Sequence, residues 1–520
     1  MKRERLSKSG FVLISLFLAV MMLYIIYEND IKSSIENSGR VVSQIQESPS
    51  ATPQELTMQL IKLSEDYAKN TGNKKVLNSM ISVADERQKT MIALIEEDPS
   101  EFLSLAISKD KRDRMPQEIK SKIEEEVSID SDLEVIHVHI GDFKTGTSRF
   151  DYYVTDISGK KLHINSAERE SELEGITGDR VNVHGFKLND QLVLASGSKV
   201  GSYAVTASKG GGGGGAKKVA VIAFNYDNNP VQPMSLEDIN KMMFTDIDSV
   251  NAFHKEESYG KVSLSGRVYG WYTVPYTGNC PAPNNNALQM AKANGLSTNG
   301  LYSIIYLHPY DPACYYLGIG TVGSGYTDIN GYFGNGYNYV LEHEVGHNLG
   351  VYHSHANDCS KDGVRTSIEG TCSNIEYGDV FDVMGSGGSS HMNAFQKAKL
   401  GWFGRSNVKT ITSGGTFTIT PLELPSSGIQ TVKFLRDKDP GGYASFDRYY
   451  FIEYRKLSGV SIRVAATVSG PFLIDTTPST NDFSDSVIPV GQTFVDSERG
   501  ISITVNSIST AGASVTVSMG

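Results

Sequence analysis

Six consecutive glycines, Gly210–Gly215, follow Lys209. A run without side chains packs nothing and keeps maximal backbone freedom, so it reads as a flexible tether. It serves either as a plain spacer or as an exposed cleavage point between a pro-region and a mature part. The chain on either side is long enough for separate domains, since 520 residues allow three or four at about 100–200 each. Hydrophobic residues make up 39% of the sequence and mean hydropathy is −0.25. Those values exclude a polytopic membrane protein and a mostly disordered chain. A net charge of −11, a pI near 5.6 and the lack of any long basic run exclude nucleic acid as a partner.

Lys2, Arg3, Arg5 and Lys8 precede an unbroken apolar run, residues 11–27, followed by Glu28-Asn29-Asp30. A membrane span needs about 17–25 residues, and a signal h-region about 7–15. The run therefore reads as an uncleaved signal anchor, with a cleaved signal peptide as the alternative. The charge order puts residues 1–10 in the cytoplasm and the bulk outside. The expected address is the cell membrane, single-pass with an extracytoplasmic catalytic part; a secreted protein is the alternative. Residues 28–130 read as a mostly helical stalk or pro-region, with Leu56, Leu60 and Leu63 at helical spacing. In 131–208 the period becomes two, as in Ile136, Val138 and Ile140, which predicts a small β domain. Residues 209–216 form the linker.

After it, Val219-Ala220-Val221-Ile222-Ala223-Phe224 predicts a buried first strand of a domain spanning 217–405. Residues 406–520 read as strand after strand, which predicts an antiparallel β-sandwich-like tail. The expected class is α+β.

Residues 343–353 read His-Glu-Val-Gly-His-Asn-Leu-Gly-Val-Tyr-His. His343 and His347 are four apart, so on a helix they sit one turn above each other and can grip one metal ion. Leu341, Val345 and Leu349 form an apolar stripe roughly opposite them. Gly350 can end the helix in a left-handed conformation and let the chain return with His353 as third ligand. Three neutral imidazoles leave a fourth tetrahedral position for water, the arrangement of a catalytic zinc site. Glu344, beside the metal and not needed as its ligand, is placed to activate a zinc-bound water. Thirty-one residues past His353, Asp382-Val383-Met384-Gly385-Ser386 matches the Met-turn of metzincins, in which a methionine packs beneath the imidazoles.

Glu376-Tyr377-Gly378-Asp379, the turn around Met384, and Asn393-Ala394-Phe395-Gln396-Lys397-Ala398-Lys399-Leu400-Gly401-Trp402 resemble the gametolysin family of zinc metallopeptidases. The resemblance covers about 217–405 and extends loosely through Tyr450-Phe451-Ile452-Glu453-Tyr454-Arg455. It implies a metzincin-like catalytic domain that cleaves proteins or glycoproteins. The algal member that names the family has Gln where His343 stands, so its cell-wall substrate transfers less safely than its chemistry.

Weaker signals remain. His355 is a rival third ligand with spacing two residues too long, and His391 and Tyr377 are available for oxyanion stabilisation. Asp358, Asp362, Glu369 and Asp379 could contribute to a calcium site, against a plain solvated acidic loop. His137, His139, His163 and His184 read as solvent-facing strand positions. All four cysteines fall between Cys280 and Cys372, and local pairing, Cys280–Cys314 and Cys359–Cys372, is the expectation. The alternative function is a surface adhesion or carbohydrate-binding protein with an inactive protease-like domain.

Overall fold

A computed structural model describes residues 51–132, 134–140, 147–156, 158–165, 180–194, 214–278, 284–314, 316–331, 333–334, 336–438, 447–466 and 469–520. The apolar run 11–27 and most of the glycine run lie outside them. Among the described residues no helix is long and apolar enough to cross a membrane.

The chain divides into two compact units, Met1–Thr90 and Met91–Gly520. In the first, helix Pro53–Lys69 opens with a capping box, Thr52 and Glu55 exchanging side-chain bonds with each other's backbone N–H. Leu56, Leu60, Met80, Val83 and Ala84 are buried, and Arg87 Nε donates to Thr57 Oγ1 at 2.7 Å.

The second unit begins with the end of helix Lys74–Glu97 and helix Pro99–Leu105, N-capped by Asp98. Helical structure stops at Gln117–Lys120 and a strand already runs Glu125–Asp132, earlier than the sequence pattern predicts. Its sequence is polar, and its pairing with Arg180–Leu188 decides the conformation over local preference. Six strands, from Glu125–Asp132 to Gln191–Leu194, carry a core that includes Tyr152, Val154, Leu162, Ile164, Val183 and Leu192.

Beyond the glycine run, the first strand is Gly215–Tyr226, so the last glycine is already in the sheet. It pairs in parallel with Val262–Val274 and Ser303–His308. Gly325–Asn330 joins in parallel and Gly318–Val322 antiparallel. The sheet does not stop at that strand: Gly318–Val322 pairs antiparallel with Glu134–Ile140, giving eleven strands that cross the tether. Helix Asn338–Leu349 covers one face, with Val340, Leu341 and Val345 packed on Val219, Val221, Ile305, Leu307 and Ile329.

The tail is built differently from a self-contained antiparallel sandwich. An eight-stranded mixed sheet takes in His355–Lys361, Val364–Thr366 and Thr371–Ile375 from before residue 406. His355–Lys361 pairs in parallel with Ser469–Ile474. A four-stranded antiparallel sheet shares one core with it, where Phe434, Tyr450 and Ile462 meet Phe494, Ile503 and Val515.

Candidate metal centre

Every residue from Val340 to Leu349 is buried, and the helix ends where Gly350 takes φ 112 and ψ 23. That left-handed turn suits glycine and sends the chain back along the helix toward His353. The helix is pinned to its strands through polar groups. Asn348 Nδ2 donates to Thr321 O at 2.9 Å and Tyr326 O at 3.1 Å, and Gly323 N donates to His347 O at 2.8 Å. Two glycines allow this close approach. A Cβ on Gly318 would lie 2.8 Å from Glu344 Oε1, and one on Gly320 would lie 2.9 Å from Glu344 O.

His343, His347 and His353 converge: one ring nitrogen of each lies within 4.8 Å of the others, and all three side chains are buried. Their opposite nitrogens are engaged. His343 Nδ1 meets Val383 O at 2.8 Å, His347 Nδ1 meets Val351 O at 2.8 Å, and His353 Nδ1 meets Glu376 Oε1 at 2.5 Å. All three acceptors are oxygens without a proton, so each Nδ1 carries the hydrogen and each Nε2 presents a lone pair. His347 Nε2 and His353 Nε2 are 3.2 Å apart; two lone pairs facing at that distance repel unless a cation lies between them. An all-imidazole donor set with three ligands fits zinc and leaves one coordination position open. Glu376 is a residue the sequence reading did not single out as functional. Its second oxygen lies 3.2 Å from His355 Nδ1 without hydrogen-bond geometry, so the carboxylate orients the third histidine alone.

Glu344 is buried, which pushes its carboxyl up to about 7, with neighbouring His343 acting the other way. Met384 packs on the helix from the side opposite the strands. A Cβ on Gly346 would sit 2.5 Å from Met384 Sδ and 3.0 Å from Met392 Cε. This contact explains a helix-interior glycine that otherwise costs about 1 kcal/mol. The turn is wired by Asp382, whose oxygens accept from Met384 N at 2.7 Å and Asn393 N at 2.6 Å. Ser354 N donates to Met384 O at 2.8 Å. Beneath it, Asp379 takes a bidentate bond from Arg463, Nε to Oδ2 at 2.5 Å and Nη2 to Oδ1 at 2.9 Å. Burial works to raise Asp379, and the Arg463 guanidinium overrides it and holds the carboxyl below its usual range. Burial, then the Asp379 charge, push Asp382 up to about 8.

The weaker candidates fall elsewhere. His355 stacks on Phe472, centroids 5.2 Å apart, and is not in the converging set. Tyr377 lies against the cluster, its ring 4.2 Å from that of His353. His391 is buried beside Lys397, its Nδ1 at 3.4 Å from Nζ, and burial followed by that charge pull it down to about 2. The calcium alternative finds no support: Asp358 is bonded to Arg365, Glu369 to Lys361 and Ser497, and Asp379 to Arg463. Among the described residues the three histidines are the one cluster arranged for a metal. His163 contacts Asp151 and Gln191, and His184 contacts Glu126; the side chains of His137 and His139 lie outside the description. Cys359 and Cys372 are bridged, directly opposed on adjacent antiparallel strands. Cys314 is also disulfide-bonded, and Cys280, its expected partner, lies outside the described residues.

Residues 218–435 match the family model described as gametolysin peptidase M11. The match passes residue 405 and takes in most of strand Thr431–Asp437. No curated protein matches the chain.

Proposed function

From the premise that residues 218–435 belong to the gametolysin family of metallopeptidases, we propose that this chain is a metzincin-type zinc endopeptidase acting outside the cell. The observation that carries the reading is the convergence of three Nδ1-anchored imidazoles beside a buried carboxylate. His343, His347 and His353 would hold zinc through Nε2. When bound, the ion supplies a Lewis acid that polarises a peptide carbonyl and acidifies a water. Glu344 takes the proton of the attacking water on a carboxylate oxygen and returns it to the leaving amine nitrogen. Glu376 fixes the His353 tautomer, Gly350 returns the chain so that His353 arrives, and Met384 floors the helix without handling a proton.

The Cys359–Cys372 bridge supports an oxidising compartment, reached by membrane anchoring through 11–27 or by secretion. The protein substrate is implied by the family.

The test is Glu344→Gln. The variant should keep wild-type zinc content and fold while casein hydrolysis falls by at least about 10³-fold, and chelator should abolish wild-type hydrolysis. Near-wild-type activity in the variant sinks the assigned role of Glu344. Absence of both zinc and cleavage in the wild type would favour the adhesion-type alternative.

A further inference from the structure

Arg436, Arg448 and Arg499 lie past the segment matched by the family model, and the fold brings all three to one carboxylate. Asp437 Oδ1 accepts from Arg499 Nε at 2.6 Å; its Oδ2 accepts from Arg436 Nη1 and lies 2.9 Å from Arg448 Nη2. Burial works to raise Asp437, and the guanidiniums override it and hold the carboxyl below its usual range. Arg436 Nε also donates to Asp496 Oδ2 at 3.2 Å. Glu498 stands between Arg499 and Lys361, at 3.7 and 3.9 Å, and Lys361 also meets Glu369 at 3.3 Å. Three guanidiniums thus share Asp437 and Asp496.

The arginines line one cleft of about 470 Å³, and Asp437 and Asp496 stand behind them rather than in its wall. Arg448 and Arg499 keep 52% and 36% of their side chains exposed, so both forks reach solvent. Asn357 and Asn374, directly opposed on adjacent strands, and Phe472 continue the wall. A cleft of this size with a few convergent polar groups has the dimensions of a ligand site. It also adjoins the metal centre. Phe472 stacks on His355, and a Cβ on Gly470 would lie 2.7 Å from His353 O. Asn357 follows His353 by four residues, which bounds their separation at about 14 Å.

We propose that this cleft is a substrate exosite in which Arg448 and Arg499 hold a carboxylate of the polypeptide being cleaved. This rests on the metallopeptidase reading and adds a substrate class: proteins with an acidic segment to one side of the scissile bond. A carboxylate matches the planar guanidinium fork in shape and charge, as Asp437 does on the inner side. Arg436 is buried and holds Asp437, which orients the two outer arginines without touching the ligand. An extended chain advances about 3.4 Å per residue, so the acid falls about four to seven residues from the scissile bond.

The test reads binding and turnover separately, on the full chain. Fluorescein-labelled peptides carrying Glu at those positions, or Gln in their place, are titrated against zinc-loaded Glu344→Gln, chosen to suppress turnover. The Glu peptide should bind at least about tenfold more tightly at low salt. Adding Arg448→Gln with Arg499→Gln should remove that preference. In the wild-type background the same two substitutions should lower the ratio of kcat/KM for the Glu peptide over the Gln peptide at least about tenfold. Amidating the peptide separates two sources of the carboxylate: a preference that survives belongs to side chains, and one that vanishes belongs to the chain end. Equal binding of the two peptides by Glu344→Gln overturns the proposal, and so does a preference that persists after both arginines are replaced. Because binding is read without turnover, a wild type that cleaves nothing refutes the peptidase reading and leaves the carboxylate preference of the cleft measured on its own.

Discussion

Arg463 lies beyond the region matched by the family model, yet its guanidinium makes four bonds inside the catalytic half of the molecule and the tail sheet. Two go to Asp379, one to Glu453 Oε1 at 2.8 Å and one to Ser461 Oγ at 3.0 Å. All three charged side chains are fully buried. Replacing it by Met keeps the volume and removes the charge. Asp379 then retains Ser354 Oγ at 2.8 Å and Phe381 N at 3.1 Å, and Glu453 retains Arg455 Nε and Ala394 N, both at 2.7 Å. Arg455 still pairs with Glu453, whereas the bonds left on Asp379 come from neutral groups and do not neutralise its buried charge. Breaking a buried pair from one side costs about 3–5 kcal/mol, a large share of a typical domain stability of about 5–15 kcal/mol. Urea unfolding of Arg463→Met should show that loss. The double variant Arg463→Met/Asp379→Asn should recover part of it, with a coupling energy of about 1–3 kcal/mol. Because Asp379 O accepts Ser386 N and Ser354 N donates to Met384 O, zinc affinity should fall alongside stability. A single variant within about 0.5 kcal/mol of wild type would refute the claim that the tail's buried charge holds the Met384 turn.

Glu376→Ala removes the acceptor of His353 Nδ1 and should weaken zinc binding about 10–100-fold, read by competition with a chromophoric chelator; unchanged affinity would assign Glu376 a packing role only. Lys397 carries the pH prediction. Burial pulls its amine down to about 7, whereas the unfolded chain keeps it near about 10.4. Between those values the unfolded state binds more protons, so this group makes stability rise with pH from about 7 to about 10. Lys397→Met should flatten that rise in urea midpoints measured across the interval, and an unchanged slope would place its origin elsewhere.

How much of this was legible beforehand follows from distance along the chain. The helix, its turn-to-turn histidines, the Gly350 exit and the return to His353 are encoded within eleven residues, because helical periodicity and a left-handed glycine act locally. Met384 was visible from its neighbours, and Cys359 with Cys372 from short spacing. Gly346 stands in that motif without explanation until Met384 Sδ is found against it. Glu376 carries part of the family resemblance with no role assigned to it until the fold brings it against the His353 imidazole. The glycine run divides the sequence, yet the sheet runs across the division because residues 319 and 138 pair, and no periodicity announces a partner at that remove. Arg463, Asp379 and Glu453 look like ordinary polar residues on strands and turns. Only their burial together makes them a fixed unit, since a charge in a dry interior is stable only where its counter-charge is also held. Local chemistry was therefore set by the sequence by itself. Which strand joins the catalytic sheet and which charge anchors the floor were decided by tertiary pairing, where hydrogen-bond ladders and desolvated ion pairs join segments that share no local pattern.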